Sequence, residues 1–254
     1  MTITVILEWN FSPPNYFEEP IEISRENYTM KIEAGEVTAT IDYAVFNKNP
    51  SLQIELYESL NNRFLAAQLL SHQMYELFSS RMTHVDRDGH KHIFVGLSSA
   101  SMLVTTGHLD FLHTDKDGNV ISDSRRDRIE KKINLAELVA KHKSNDQLVA
   151  ALLQSHSAAV TDPNNELVHL YEIRDAISKK FGNENSARQK LGITKSQWSR
   201  FGALCNTLPL KQGRHRGDFA GELRDASESE LEEVRKISQA IIEAYLQYLE
   251  NLNT

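Results

Sequence analysis

The chain has 254 residues, 40% hydrophobic and 25% charged, which is the make-up of an ordinary folded protein and excludes wholesale disorder. A single cysteine excludes a disulfide-stapled scaffold, and a formal net charge of −7 excludes a uniformly basic nucleic-acid binder. At roughly 100–200 residues per domain, the length fits one large domain or two modest ones.

The opening MTITVILEWNFSPP alternates like a strand and has neither a basic n-region nor a small-residue cleavage site, so no signal peptide is expected. Thr2–Leu7, Tyr28–Ile32 and Val37–Tyr43 read as strands. The last two are joined through Glu33-Ala34-Gly35-Glu36, where Gly35 can take the positive φ of a tight turn. After Asn49-Pro50 a helix is expected, because Leu56, Leu60, Phe64, Ala67, Leu70, Met74 and Leu77 recur at helical spacing. Strands return at Ile93–Leu97, Met102–Thr105 and Leu109–His113, with hairpin turns at Asp88-Gly89 and Asp117-Gly118. Residues 126–156 read as helix again.

Asp162-Pro163 has the order of an N-cap and first helical residue, and beyond it only helices are expected. The first spans Pro163–Phe181, with Leu167, Leu170, Tyr171, Ile177 and Phe181 on one face and Gly182 at its end. A short helix covers Asn185–Leu191. The next starts at Thr194, which forms a capping-box pattern with Gln197, and the last runs over Glu228–Leu249 behind Ser227 and Glu230. The expected fold is therefore α+β: a β-rich domain with a long helix over 1–125, a helical connector over 126–157 and a helical bundle over 158–254. No apolar run reaches the roughly 18 residues of a transmembrane helix. Cys205, without a partner, fits a cytoplasmic protein and a core-filling role.

Charge divides along the chain. Residues 1–162 hold 15 basic and 22 acidic residues, whereas 163–226 hold 11 basic and 7 acidic. An anionic partner such as RNA or DNA is expected at the C-terminal part, and a protein partner at the acidic N-terminal domain.

Lys211-Gln212-Gly213-Arg214-His215-Arg216-Gly217 is the most unusual segment. Guanidiniums hold phosphate bidentately, and imidazole moves a proton near neutral pH. Two readings follow. The loop contacts phosphate or cleaves RNA, or its arginines pair with carboxylates such as Asp218, Glu222 or Asp225.

With Glu166–Phe181 as a long first helix, an Arg-His pair in a loop and a long closing helix, residues 163–251 resemble a HEPN-type helical domain. The resemblance implies a metal-independent, dimeric ribonuclease of prokaryotic antiviral defence, with Arg and His meeting across the homodimer. By it, His215 is the general acid/base, and Arg214 or Arg216 stabilises the phosphorane-like charge. Glu172 and Arg174 are supporting candidates. The family's Arg stands four to six residues before its His; here Lys211 is four before His215, and Arg214 is adjacent.

Residues 186–200 are similar to a helix-turn-helix, with Leu191-Gly192-Ile193 as the turn. In that motif the second helix enters the major groove, which would set Thr194, Lys195, Ser196, Gln197 and Arg200 toward DNA, with Lys211 as a further contact. Trp198 and Phe201 would turn inward, or mark a surface for single strands. The alternative is a bundle corner without nucleic acid, or a protein–protein adaptor. His84, His90, His92, His108 and His113 cluster in sequence, but no Cys is near. Asp115–Asn119 is similar to part of a calcium loop without its closing Glu. Hairpin turns account for both, and neither metal nor cofactor is expected.

Overall fold

A computed structural model describes residues 4–49, 51–78, 81–86, 88–95, 110–114, 116–117, 119–219 and 221–252. The fold is α+β, an antiparallel sheet followed by helices. The chain forms two compact units, Met1–Ala67 with Tyr75–Lys131, and Gln68–Met74 with Lys132–Thr254. The segment expected as a connector belongs to the helical unit from Lys132 on.

In the sheet unit, β1 (Thr4–Ser12) alternates, burying Val5, Leu7, Trp9 and Phe11. It lies between β4 (Glu36–Asp42) and β6 (Arg81–Val85) in a sheet of order β2-β3-β4-β1-β6-β7, where β2 is Ile21–Ser24, β3 Tyr28–Glu33 and β7 Lys91–Val95. β3 and β4 form the expected hairpin, with Ala34 and Gly35 at φ 49° and 88°. Gly35 is required twice over, because a Cβ there would also stand 3.0 Å from that of Pro14.

Asp42 caps the short α1 (Tyr43–Lys48), accepting from the Ala44 N–H at 2.8 Å. α2 (Leu52–Ser71) buries Leu52, Leu56, Leu60, Phe64 and Ala67 in the same core as the inward sheet residues. Phe64 meets Phe11 at 5.1 Å and Tyr75 at 4.8 Å between ring centroids. The helix does not continue to Leu77. His72 turns left-handed at φ 52°, and Leu77 pairs with Phe11 in β5 (Glu76–Leu77). The apolar spacing that runs through Met74 and Leu77 thus spans a helix end and a strand.

β6 and β7 form a hairpin at Asp88-Gly89, as do β8 (Leu112–Thr114) and β9 (Val120–Asp123) around Asp117. The strand expected at Met102–Thr105 lies outside the described residues.

The helical unit contains the end of α3 (Ser124–His142), then α4 (Gln147–Thr161), α5 (Glu166–Lys180), α6 (Glu184–Leu191), α7 (Lys195–Gly202) and α8 (Glu228–Leu252). Asp146 caps α4, and the reciprocal Ser227–Glu230 box opens α8. Asp162 does not cap through its side chain. Pro163 opens a 3-10 turn, and the Asp162 carboxylate accepts instead from Asn165 Nδ2 at 2.7 Å. Leu167, Leu170, Ile173 and Ile177 of α5 are buried, as are Val234, Ile241, Tyr245 and Leu246 of α8. Tyr171 and Phe181, expected on the α5 core face, are only partly covered.

This core also holds charge. Glu166 is 2% exposed and accepts from Arg235 Nε and Nη2 at 2.6 and 2.8 Å, with His72 Nε2 at 3.3 Å from the same carboxylate. The buried His156 ring meets His72 edge-on at 5.3 Å. Burial opposes ionisation of Glu166, but the bonds from Arg235 and His72 outweigh it and hold its pKa below the usual range. No described helix is long and apolar enough to cross a membrane.

Candidate nucleic-acid interface

α6 and α7 form the expected helix–turn–helix. Asn183 caps α6 through the Ser186 N–H at 2.9 Å, and Gly192 ends it at φ 67°. Thr194 then caps α7, its hydroxyl accepting from the Gln197 N–H at 3.2 Å while Gln197 Oε1 accepts from the Thr194 N–H at 3.1 Å. Ala187, Leu191, Ile193, Trp198 and Phe201 are buried. Thr194, Lys195, Ser196, Gln197, Ser199 and Arg200 are exposed. Lys195 has no ion-pair partner among the described residues. Arg200 Nε donates to Glu233 at 3.0 Å across to α8, both side chains partly in water. The Gln197 carbonyl is spent on the cap, which leaves its amide N–H groups to donate outward.

α7 runs on into a π-helical turn, Ala203–Thr207. Pro209 has no N–H to give the Cys205 carbonyl, which accepts instead from the Arg214 N–H at 3.0 Å. That bond docks the Arg-His-Arg loop onto the turn. Gly213 makes the approach possible, since a Cβ there would lie 3.2 and 3.3 Å from the carbonyl oxygens of Leu210 and Cys205.

The cations of this loop fall into two groups. At its base they are neutralised. Lys211 pairs with Asp225 at 2.9 Å, and Arg224 donates twice to Glu230 at 2.8 and 2.7 Å, pulling the Glu230 carboxyl down to about 2. At its tip they are not. Among the described residues no carboxylate pairs with Arg214 or Arg216. Arg216 donates to the Gly213 and Asn164 carbonyls and to Asn165 Oδ1. Arg214 is exposed and lies over the Tyr171 ring at 4.3 Å, with a long contact of 3.4 Å to Asn206 Oδ1. His215 is half-exposed, its Nδ1 3.4 Å from Asp218. Of the carboxylates weighed as partners for the arginines, Asp225 takes Lys211 and Asp218 takes His215.

Tyr171 is itself held. Its hydroxyl accepts from Arg174 Nη1 at 3.0 Å. Arg174 lies 4.9 Å over the Trp198 ring and donates to Glu184 at 2.9 Å, and Glu184 also accepts from Trp198 Nε1 at 3.0 Å. Arg174 thus lies beside the loop, under Tyr171. Glu172 does not, being turned to Ser155 of α4. Tyr171, Glu184, Asn165 and Asn206 carry no motif. Only the Tyr171–Arg174 spacing, three apart on one helix, signals that those two meet.

His84 and His92 are backbone register partners across β6 and β7, and His108 lies outside the described residues. Asp86, Asp88 and His90 have potential ligand atoms within 4.8 Å of one another. The Asp86 carboxylate already accepts from the N–H groups of Asp88 and His90, at 2.9 and 2.8 Å, so the grouping is the hairpin's own turn. Set against known proteins, the chain matches no family model, no curated protein and no solved structure.

Proposed function

We propose that the helical unit binds nucleic acid, with α7 in the major groove of a DNA duplex and the Arg-His-Arg loop against the same duplex, Arg216 on phosphate. The observation that carries this reading is the pair of guanidiniums without carboxylates, next to an exposed polar helix start, while Lys211 and Arg224 at the loop's base are neutralised. A guanidinium without a carboxylate keeps its charge unneutralised and can take an anion. Residues 184–226 hold eight Lys and Arg against four Asp and Glu, so the field there is positive although the chain is acidic.

Fluorescence anisotropy with a labelled duplex, across a salt series, tests it. Affinity is expected to fall steeply with salt. Lys195→Ala and Arg216→Ala should each lower the log–log slope by about 1, as loss of one phosphate contact does. Absence of duplex binding, or binding indifferent to both substitutions, overturns the reading.

A second reading is metal-independent RNA cleavage at His215 in a HEPN-like homodimer. An exposed imidazole flanked by two unneutralised guanidiniums favours it. Cleavage of RNA in EDTA by wild type but not by His215→Ala, from a protein that is dimeric by light scattering, would support it.

A further inference from the structure

We infer that Arg214 is a specificity-determining residue which reads the two-acceptor Hoogsteen edge of a guanine; this rests on the nucleic-acid reading above. The loop's two tip arginines are held in different ways. Arg216 spends its Nε and Nη2 on oxygens of the loop and of the 3-10 turn before α5, so it offers what is left of its charge. Arg214 spends almost nothing. Among the described residues its side chain makes the 3.4 Å contact to Asn206 and lies over the Tyr171 ring.

The Arg214 guanidinium is backed by a series of ring contacts and hydrogen bonds. Trp198 carries Arg174, Arg174 holds the Tyr171 hydroxyl, and Tyr171 carries Arg214. Glu184 closes the inner end by accepting from both Arg174 and Trp198. The series begins in α6 and α7 of the helix–turn–helix and ends at an exposed guanidinium. Its backbone is pinned too, by the Cys205 carbonyl and by the close fit at Gly213.

A phosphate accepts from many directions, so gripping one needs charge but no fixed plane. A guanine presents O6 and N7 side by side in its own plane, and a guanidinium meets both only when its fork is held coplanar with the base. Holding the plane before binding also reduces the side-chain entropy lost on contact. The ring under Arg214 and its pinned backbone supply preorganisation of the kind the base edge needs and a phosphate does not.

The test is selection from a duplex pool of randomised sequence, followed by affinities for the selected duplex and its single-base variants. Wild type is expected to enrich guanine at one position, with roughly 5- to 150-fold discrimination there, the range of one bidentate base contact. Arg214→Lys keeps the charge but loses the fork, and should remove that preference. Tyr171→Ala frees the plane and should weaken it, and Tyr171→Phe should retain more of it. Arg216→Ala and Lys195→Ala should weaken all sequences alike and leave the ratio standing. A guanine preference that survives Arg214→Lys, or duplex binding without any Arg214-dependent preference, overturns the inference and leaves the binding reading intact. Absence of duplex binding overturns both.

Discussion

Beneath the sheet, the side chains at greatest depth are Trp9, Leu7, Ile32, Ile41, Leu56, Leu60 and Phe64, all apolar. At the same depth in the helical unit, Leu170, Ile173 and Phe201 share the interior with Glu166, His156 and Ser238. The first interior is stabilised by area removed from water. The second also depends on a charge balance that holds only while every partner is present and in the right protonation state. Loss of an apolar group costs a cavity, while loss of one charge partner strands another.

The largest expected effects test that contrast directly. Phe64→Ala should cost about 3–5 kcal/mol in the sheet unit. Glu166→Ala should cost about 3–5 kcal/mol in the helical unit, because Arg235 and His72 lose their common partner. Denaturant unfolding gives the totals, and hydrogen exchange of β1 and α5 amides assigns each loss to its unit. A loss for Glu166→Ala below about 1 kcal/mol would mean that the buried pair is replaceable by water.

A smaller effect appears with pH. Burial, with the His72 charge opposing and Glu166 favouring protonation, pulls the His156 imidazole from 6.5 to about 3. The folded value lies below the unfolded one, so this stabilisation is complete above about pH 6.5 and is lost as pH falls toward 3. The limiting slope is about 1.4 kcal/mol per pH unit. By pH 5 the helical unit should have lost about 2 kcal/mol from this group. His156→Leu should flatten that slope, and an unchanged slope would assign it elsewhere.

Of similar size, Gly213→Ala should cost about 1–3 kcal/mol by forcing carbonyls apart, and should lower duplex affinity by displacing Arg214. Thermal melts and anisotropy on the same preparation separate the two consequences. Thr194→Ala should cost about 1 kcal/mol through the lost cap, seen as a lower melting temperature with α7 amides exchanging faster. A change in affinity with no change in melting temperature would instead make Thr194 a contact.

The local devices could be read from the chain. Gly35, Gly182 and Gly192 mark reversals that few other residues tolerate, and the Thr194–Gln197 and Ser227–Glu230 pairs act within one helical turn. The end of α2 could not, because the left-handed residue there is His72 and no glycine or proline announces it. The site was half legible. Arg214, His215 and Arg216 stood out by composition. What separates Arg214 and Arg216 from Lys211 and Arg224 is who meets them, and Tyr171, Asn165, Asp225 and Glu230 are delivered by packing. Tyr171 in particular reads as one more apolar position on a helix face until Arg214 is seen lying over it.

The stem of the Arg-His-Arg loop is clasped on both sides, by Lys211 N–H to the Arg224 carbonyl at 2.9 Å and Arg224 N–H to the Pro209 carbonyl at 3.0 Å, with Arg214 N–H on Cys205 above. Between those fastenings no slack is left. A residue inserted or deleted between 211 and 213 would rotate every following side chain out of phase, placing His215 over Tyr171 or lifting Arg214 off the π turn.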